Sequence, residues 1–340
     1  MSTSVRLAID VMGGDHGPRC IIPAVARSLA KLPELQVILV GSKESLVALS
    51  HEYRLPAERV SFRYTSEQIL ADDSPASVLR HKRDASMRVA IELVRDGQAD
   101  GCLSAGNTGA LMVLSRALLG TLEGIERPAI MAALPVAGKP CYLLDLGANV
   151  DCSARQLFEF AIMGSEAVAE LSGNPRPRVG LLNIGREVNK GSARVREVSE
   201  LLRQCELINY VGHVEGDGLF RDEADLVVCD GFVGNVVLKA SEGLAHYLQA
   251  QVRDVLAAHP LLAWLSPLLR RLLRPVLRRH DPDLYNGASL LGLRAVVVKS
   301  HGGAGERAFE AAIVQAVAAS RARLAERIAE RLAQSGVQSL

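Results

Sequence analysis

Short apolar runs alternate along the chain with longer segments in which apolar positions recur at helical spacing. The short runs are rich in β-branched residues, which predicts buried strands separated by helices. The predicted strands are VRLAIDV from Val5, QVILVG from Gln36, VSFRYT from Val60, DGCLSAG from Asp100, PAIMAALP from Pro128, CYLLDLG from Cys141, RVGLLNIG from Arg178, LINYVGHV from Leu207, DLVVCDG from Asp225 and LRAVVVKS from Leu293. The predicted helices occupy 18–32, 75–97, 107–120, 153–172, 191–204, 233–258 and 303–334. This alternation is typical of an α/β fold with a doubly wound, mostly parallel sheet.

Several predicted strands end in a glycine-bearing loop that opens a helix. These loops are DVMGGDHGP, LSAGNTGA, LDLGANVD, LNIGREVNKG, CDGFVGN and KSHGGAG. One such glycine is explained by a turn that needs a left-handed residue. A series of them predicts a ligand site, because open α/β sheets bind ligands at the carboxyl ends of their strands. Proline-bearing segments at 172–178 and 259–267 are the candidate boundaries within the chain, and a discontinuous first domain fits the strand pattern.

The composition is that of a globular protein, with 49% apolar and 23% charged residues among 340. The formal charge of +1 argues against an evenly basic nucleic-acid binder, and 4% aromatic residues argue against an RNA-stacking platform. Six scattered cysteines without a Cys-x-x-Cys pair indicate reduced thiols. The first residues lack the apolar core of a signal peptide, and no uninterrupted apolar stretch reaches about 18 residues. The expectation is a cytoplasmic protein.

Anion binding is the chemistry that the loops predict. The chain has no Walker A sequence, dinucleotide fingerprint, nucleophile elbow or zinc-protease spacing, so no metal or other cofactor is indicated. Gly106, Asn107 and Thr108 form a predicted first helical turn, where free N–H groups and the helix dipole favour phosphate. The alternative is that Asn107 or Thr108 only caps the helix. Lys190, in a similar loop, could supply a positive charge for phosphate or be a solvated lysine.

Other polar residues follow further strands. Asp230, Asn235 and Lys239 lie together in one strand-to-helix segment. Asp10, Asp15, Asp145 and Asp151 also stand in loops, where they could orient lysines or asparagines, or act in acid–base chemistry. Turn formation or helix capping is the stronger interpretation for Asp15 and Asp151. Asp145 ends an apolar strand, so we expect it to be buried and hydrogen-bonded.

Residues 259–280 form a basic, leucine-rich segment. They hold five arginines and no carboxylate, so the formal +1 of the whole chain becomes −4 for the remainder. On a helical wheel the leucines and arginines fall on opposite sides, although Pro267 and Pro275 favour short consecutive helices. Such a segment suits an anionic membrane surface, a dimer or interdomain contact, or an acidic partner protein. The candidate surface residues are Leu265, Leu268, Leu269, Leu272, Arg270, Arg271 and Arg274.

The motifs together resemble the bacterial phosphate acyltransferases of phospholipid synthesis. The resemblance runs from AIDVMGGDHGP at 8–18 to KSHGGAG at 299–305. Between these lie SMRVA (86–90), SAGNTGALM (104–112), GIERPA (124–129), DLGANVDC (145–152), NIGREVNKG (183–191), CDGFVGNVVLK (229–239) and YNGASLLGLR (285–294). The combination and order are specific, although each motif alone is weak.

The resemblance implies a single 1–340 unit of two α/β subdomains around a cleft, similar in fold to isocitrate and isopropylmalate dehydrogenases and to phosphotransacetylases. It implies transfer of a fatty acyl group from acyl-acyl-carrier-protein to inorganic phosphate, in a homodimer associated peripherally with membranes. Residues 259–280 match the helical tip linked to that association, and the acyl phosphate would pass to a membrane glycerol-3-phosphate acyltransferase.

Residue roles follow as expectations from this implied activity. Gly106, Asn107 and Thr108 with Lys190 would hold phosphate. Asn149, Asn235 and Lys239 would orient the thioester or stabilise its oxyanion, and Asp145 and Asp230 would position them. A thiolate is a good leaving group, so no covalent enzyme nucleophile is needed. Two alternatives stay open: a phosphotransacetylase acting on acyl-coenzyme A, and a non-catalytic scaffold at the membrane surface. A hydroxy-acid dehydrogenase is less favoured because its metal aspartates and nicotinamide loop are not recognisable.

Overall fold

The computed structural model describes residues 4–134, 136, 139–258 and 282–335. Within them, eleven strands form one sheet. The strands are β1 Val5–Asp10, β2 Leu35–Gly41, β3 Val60–Tyr64, β4 Gly101–Ser104, β5 Ala129–Leu134, β6 Cys141–Leu144, β7 Arg178–Leu182, β8 Asn209–Val214, β9 Leu226–Val228, β10 Ala288–Leu291 and β11 Val296–Lys299. The α-helices of the same residues are α1 Pro18–Lys31, α2 Lys43–Glu52, α3 Pro75–His81, α4 Ser86–Arg95, α5 Thr108–Leu119, α6 Ala154–Ser172, α7 Ala193–Gln204, α8 Gly231–Ala258, α9 Glu306–Arg321 and α10 Leu324–Gln334.

The strands follow the order β3-β2-β1-β4-β11-β10-β5-β6-β9-β7-β8 across the sheet. Pairing is parallel from β3 to β11 and again from β6 to β8. In the middle of the sheet, β10 pairs antiparallel with β11 and β5, and β5 pairs antiparallel with β6. We call β1 to β4 with β11 the first half of the sheet, and β6 to β9 the second half. Strands of the second half therefore run opposite to those of the first.

Two apolar cores cover the two faces of the sheet. Alternation along β1 illustrates the division, because Leu7 and Ile9 belong to one core and Ala8 belongs to the other. The first core includes α1, α6 and α9, and the second includes α4 and α5. Burying one such leucine or isoleucine stabilises the fold by about 1.5–3 kcal/mol. Both faces of the sheet are thus covered, and the polar loops lie at the ends of the strands.

All ten predicted strands are present, and the sheet contains one that the sequence did not predict, β10. Helix α2 was also missed. The predicted helix 75–97 is two helices that break between α3 and α4, where Asp84 accepts hydrogen bonds from the N–H and hydroxyl of Ser66 at 2.7 and 2.6 Å. The predicted helix 303–334 is likewise two helices, because Arg323 adopts a left-handed conformation with φ 52°. Residues 259–280 lie outside the described residues.

Candidate functional site

A buried carboxylate organises the loops at the carboxyl ends of the first half. Asp10 ends β1 and is 1% exposed. It accepts hydrogen bonds from the hydroxyls of Ser86 at 2.7 Å and Ser104 at 2.6 Å, and from the N–H of Met12 at 3.2 Å. Burial raises the pKa of Asp10, while these hydrogen bonds oppose the increase. Asp10 therefore ties β1, α4 and β4 together.

The predicted phosphate loop follows β4 and begins α5. The side chain of Asn107 caps that helix, because its Oδ1 accepts from the N–H of Ala110 at 3.0 Å. Its Nδ2 donates to the carbonyl of Ala71 at 2.9 Å. The capping alternative thus describes the side chain of Asn107. The N–H of Gly106 donates to the hydroxyl of Ser104 at 3.0 Å. An anion at the helix start would therefore bind through the N–H groups of the first turn, from Thr108 onward.

Lys299, at the end of β11, is the candidate residue that the sequence did not single out. Its side chain is buried, with 8% of the residue exposed. The ammonium donates to the carbonyl of Ala105 at 3.3 Å and to that of Ser300. Burial lowers the pKa of Lys299 to about 8, against the opposing influence of Asp10 and Asp15. Lys299 lies directly beside the predicted phosphate loop.

In the second half, a second buried carboxylate fixes the loop after β6. Asp145 is fully buried and accepts from the N–H groups of Ile130 at 2.9 Å, Ala148 at 3.1 Å and Asn149 at 2.7 Å. The Nδ2 of Asn149 donates both to Asp145 at 3.0 Å and to the carbonyl of Pro128 at 2.9 Å. Burial raises the pKa of Asp145, and its hydrogen bonds oppose the increase. Asp145 and Asn149 hold each other and their loop.

Two glycines let α8 begin in direct contact with this loop. The N–H of Gly231 donates to the carbonyl of Asn149 at 2.8 Å. A Cβ atom on Gly231 would lie 2.6 Å from the same oxygen, and one on Gly234 would lie 1.9 Å from the carbonyl oxygen of Asp145. No side chain fits at either position, so the glycines of the GFVGN sequence fix where α8 starts.

Charged residues surround the start of α8. Asp230 caps the helix by accepting from the N–H of Val233 at 2.9 Å. Arg194, near the start of α7, lies 3.7 Å from Asp230 and also pairs with Asp151. Lys190 is exposed and precedes Arg194 by four residues in the same loop-to-helix segment. The structure therefore brings the loops after β6, β9 and β7 together, and it adds Arg194 to the predicted residues.

Helix α8 follows β9 and contains two further predicted residues, Asn235 and Lys239. The exposed Asn235 packs against Gly147, where an added Cβ would lie 3.5 Å from the Cβ of Asn235. Lys239 is one turn further along α8 and pairs with Glu242 at 2.8 Å. The positive charge of Lys239 contributes to the lowered pKa of Lys299. Asn235 thus contacts the loop after β6, whereas Lys239 is near enough to Lys299 to affect its pKa.

The four residues predicted to hold phosphate lie in both halves of the sheet. Gly106, Asn107 and Thr108 follow β4, and Lys190 follows β7, which runs in the opposite direction with five strands between them. Within the described part of this chain, Lys190 is associated with the second half and Lys299 is the lysine at the phosphate loop.

The cysteines near the second-half loops are not activated thiols. Cys152 is buried and contacts the carbonyl of Asn149 at 3.5 Å. Burial raises the pKa of Cys152 to about 12 and that of Cys229 well above its usual value. Neither thiol would be ionised at neutral pH, so neither is suited to nucleophilic attack.

Two further properties concern metals and membranes. The described residues contain no group of three or more His, Cys, Asp or Glu side chains arranged to hold a metal ion. Among the same residues, no helix combines the length and apolar character that a bilayer crossing requires.

Comparison with known proteins identifies the family. Residues 5–327 match the profile of a family described as "Fatty acid synthesis protein". A phosphate acyltransferase from Pseudomonas paraeruginosa is 54% identical over 317 residues, which cover 91% of this chain and 92% of that protein. One from Halorhodospira halophila is 48% identical over 318 residues, covering 93% of each. The chain belongs to the phosphate acyltransferase family. The resemblance of its motifs to that family is confirmed.

Solved structures of more distant proteins share the fold of this family member. A phosphotransacetylase from Staphylococcus aureus superposes with a TM-score of 0.60 at 15% identity, covering 94% of each chain. One from Streptococcus pyogenes has a TM-score of 0.59 at 18% identity, covering 95% of this chain and 94% of that one. A 4-hydroxythreonine-4-phosphate dehydrogenase from Klebsiella pneumoniae has a TM-score of 0.51 at 16% identity, covering 94% and 99%. The expected fold class is confirmed.

Proposed function

We propose that this chain transfers a fatty acyl group from acyl-acyl-carrier-protein to inorganic phosphate, releasing acyl phosphate and free carrier protein. The observation that carries the proposal is the identity of about half of all residues, over more than nine-tenths of the chain, with proteins named phosphate acyltransferase. The glycine-rich loops on both halves of the sheet support it, because their backbone N–H groups can bind negative oxygens. Phosphate is an anion, and the thioester carbonyl oxygen becomes negative during the reaction.

The proposed reaction is a direct displacement. A phosphate oxygen attacks the thioester carbonyl, and the tetrahedral intermediate carries a negative oxygen. The carbon–sulfur bond then breaks, and its electron pair leaves on the pantetheine sulfur, which takes a proton from solvent. Phosphate is already anionic at neutral pH, so the protein has to bind and aim it. The raised pKa values of Cys152 and Cys229 support a route without an enzyme-bound acyl group.

Roles for the second-half residues follow from their partners. Both amide hydrogens of Asn149 are used within the loop, so we assign Asn149 and Asp145 to positioning. Asp230 positions the start of α8. The exposed Asn235 is available to donate to the developing oxyanion, and Lys190 supplies positive charge on the same side. Phosphate binds at the start of α5, where Gly106 and Asn107 fix the loop and Thr108 begins the turn that offers N–H groups, and Lys239 on α8 adds positive charge.

The test is phosphate-dependent release of free thiol from purified protein. We expect release from acyl-acyl-carrier-protein in proportion to added phosphate, together with formation of acyl phosphate. Faster release from acyl-coenzyme A would instead assign the chain to phosphotransacetylase chemistry. Absence of release from either thioester would favour the non-catalytic scaffold.

A substitution tests the role of Lys190. Lys190→Ala should lower turnover by roughly 10- to 100-fold, since removal of a charged donor to the transition state costs about 1.5–3 kcal/mol. Lys43→Ala, at another exposed lysine, is the matched control. Normal phosphate KM and turnover in Lys190→Ala would contradict a role for this lysine.

We also propose a homodimer that uses α8. This helix exposes large apolar side chains on one broad face, with Leu244 and Tyr247 each 60% exposed and Leu248 54% exposed. Exposed apolar patches of this kind are typical of protein interfaces. Leu248→Glu should therefore shift the protein from dimer to monomer in light scattering, whereas Glu242→Gln on the same helix should not. A wild-type monomer would contradict the proposal.

For residues 259–280 we propose peripheral binding to anionic membranes, which would deliver acyl phosphate to a membrane glycerol-3-phosphate acyltransferase. The support is the sequence pattern, since five arginines near anionic lipid contribute about 1 kcal/mol each. Flotation with anionic vesicles should weaken with salt and in Leu268→Glu. Unchanged flotation of that variant, still dimeric, would refute membrane binding.

A further inference from the structure

The ammonium of Lys299 is buried without a contacting counter-ion among the described residues. Its two hydrogen-bond acceptors are the carbonyls of Ala105 and Ser300. An ammonium has three protons, so one further donor position is left. Burying a positive charge without a paired anion is costly, and such groups are concentrated at functional sites. The buried ammonium of Lys299 is therefore suited to bind an anionic ligand.

Three loops converge on this ammonium so closely that glycine is required. A Cβ on Gly14 would lie 2.8 Å from the carbonyl oxygen of Gly302 and 3.0 Å from the Cβ of Ala105. A Cβ on Gly13 would lie 2.7 Å from the backbone nitrogen of Gly106. The carbonyl that Lys299 contacts thus belongs to the residue immediately before the first turn of α5. The ammonium of Lys299 therefore lies next to the start of α5.

The charges around Lys299 come from three elements. Asp10 on β1 and Asp15 in the following loop favour its protonated form, and Lys239 on α8 disfavours it. The carboxylate of Asp10 already accepts from Ser86 and Ser104, and it forms no ion pair with Lys299 within 4.0 Å in the described structure. Lys239 is itself paired with Glu242 at 2.8 Å, so its charge is partly compensated. The buried ammonium of Lys299 has no such ion pair among the described residues, so an anionic ligand would supply the missing partner.

We infer that Lys299 binds the inorganic phosphate substrate, donating a hydrogen bond to a phosphate oxygen at the start of α5. The inference rests on the proposed function for the identity of the anion. It assigns the phosphate-contacting cation to β11, in the first half of the sheet, and leaves Lys190 to act on the thioester side.

The experiment compares Lys299→Met, Lys299→Arg and the control Lys43→Met. Methionine keeps an unbranched apolar chain of similar length, so it suits the buried position. Steady-state assays give separate KM values for phosphate and for acyl-acyl-carrier-protein. We expect Lys299→Met to raise the phosphate KM roughly 10- to 100-fold with the acyl-donor KM within twofold. Lys299→Arg should recover part of the phosphate affinity, and Lys43→Met should match the wild type.

Two results would overturn the inference. One is a phosphate KM within twofold of wild type in Lys299→Met. The other is an equal rise of both KM values, which would indicate that Lys299 only supports the loops.

A measurement without acyl donor keeps the inference separate from the proposed function. Phosphate should raise the melting temperature of wild type and of Lys43→Met, and this shift should be lost in Lys299→Met. If wild type shows the shift but releases no thiol from either thioester, the proposed function fails and the phosphate site stands. If thiol release depends on phosphate and Lys299→Met keeps the shift, the function stands and the site is wrong.

Discussion

Replacing Lys299 by methionine should make the protein more stable while it weakens phosphate binding. Burial lowers the pKa of Lys299 from 10.5 to about 8. One pKa unit corresponds to 1.36 kcal/mol, so keeping the buried lysine charged at pH 7 costs about 3 kcal/mol. Methionine removes that cost but also removes the two hydrogen bonds to carbonyls, together worth roughly 1–2 kcal/mol. The expected gain in unfolding free energy is about 1–2 kcal/mol.

The gain should depend on pH with a defined sign. Below pH 8 both the folded and unfolded lysine are protonated, so the full cost is present. Between pH 8 and 10.5 the unfolded lysine binds more protons than the folded one, and wild-type stability rises with pH from this group. Above 10.5 the cost is gone. The stability advantage of Lys299→Met should therefore shrink from pH 7 towards pH 10.5.

The assay is urea unfolding followed by far-ultraviolet circular dichroism, with wild type and variant measured side by side at each pH. Taking the difference between the two proteins cancels the titration of every group that they share. A variant that is less stable than wild type at pH 7 would refute the reasoning, because the ammonium would then be a net stabilising contact. So would a stability difference that stays constant between pH 7 and pH 10.5.

Three other outcomes are expected. Gly234→Ala places a Cβ 1.9 Å from a backbone oxygen and should destabilise the fold by several kcal/mol in urea unfolding. Gly243→Ala, on the same helix with nothing within 4 Å, should instead stabilise the fold by about 0.5–1 kcal/mol. Equal effects of the two substitutions would contradict the packing argument. Asn235→Ala should lower turnover roughly 100-fold with little change in melting temperature, while Gln251→Ala, an exposed amide on the same helix, should not; unchanged turnover in Asn235→Ala would remove it from the oxyanion site. The wild-type phosphate KM should rise about tenfold more between pH 7 and pH 9 than that of Lys299→Arg, whose guanidinium stays charged; parallel profiles would exclude titration of Lys299 as the cause.

The apolar runs predicted nearly all strands because a strand covered on both faces reads as a continuous apolar segment. Strand β10 was missed because Ala288–Leu291 is short and is flanked by Gly287 and Gly292, both with positive φ. This omission hid the reversal of strand direction at the centre of the sheet. A βαβ pattern predicts parallel neighbours, so Gly106 and Lys190 were expected to share one edge.

Lys299 shows what sequence alone could not give. In AVVVKS the lysine follows an apolar strand, and a lysine at that place is normally solvated. Its burial follows from the position of β11 between β4 and β10, in the interior of the sheet. Strand order depends on contacts distant in the sequence, so no local pattern contains it. The signal that could have been used is the series of glycines in the three loops, which implies that their backbones approach one another.

The position of α8 links the two proposed substrate sites. Its first turn is fixed against the loop after β6 by Gly231 and Gly234, which leave no room for a Cβ. Asn235 and Lys239 are then separated by one turn, about 6 Å along the axis. Asn235 contacts Gly147 of the loop after β6, and the charge of Lys239 affects the pKa of Lys299. A shift of α8 by a single residue would rotate both side chains by about 100° and separate the proposed oxyanion donor, Asn235, from the proposed phosphate site. In the proposed reaction, the glycines of α8 and the buried lysine of β11 would together bring phosphate and the thioester carbonyl within bonding distance.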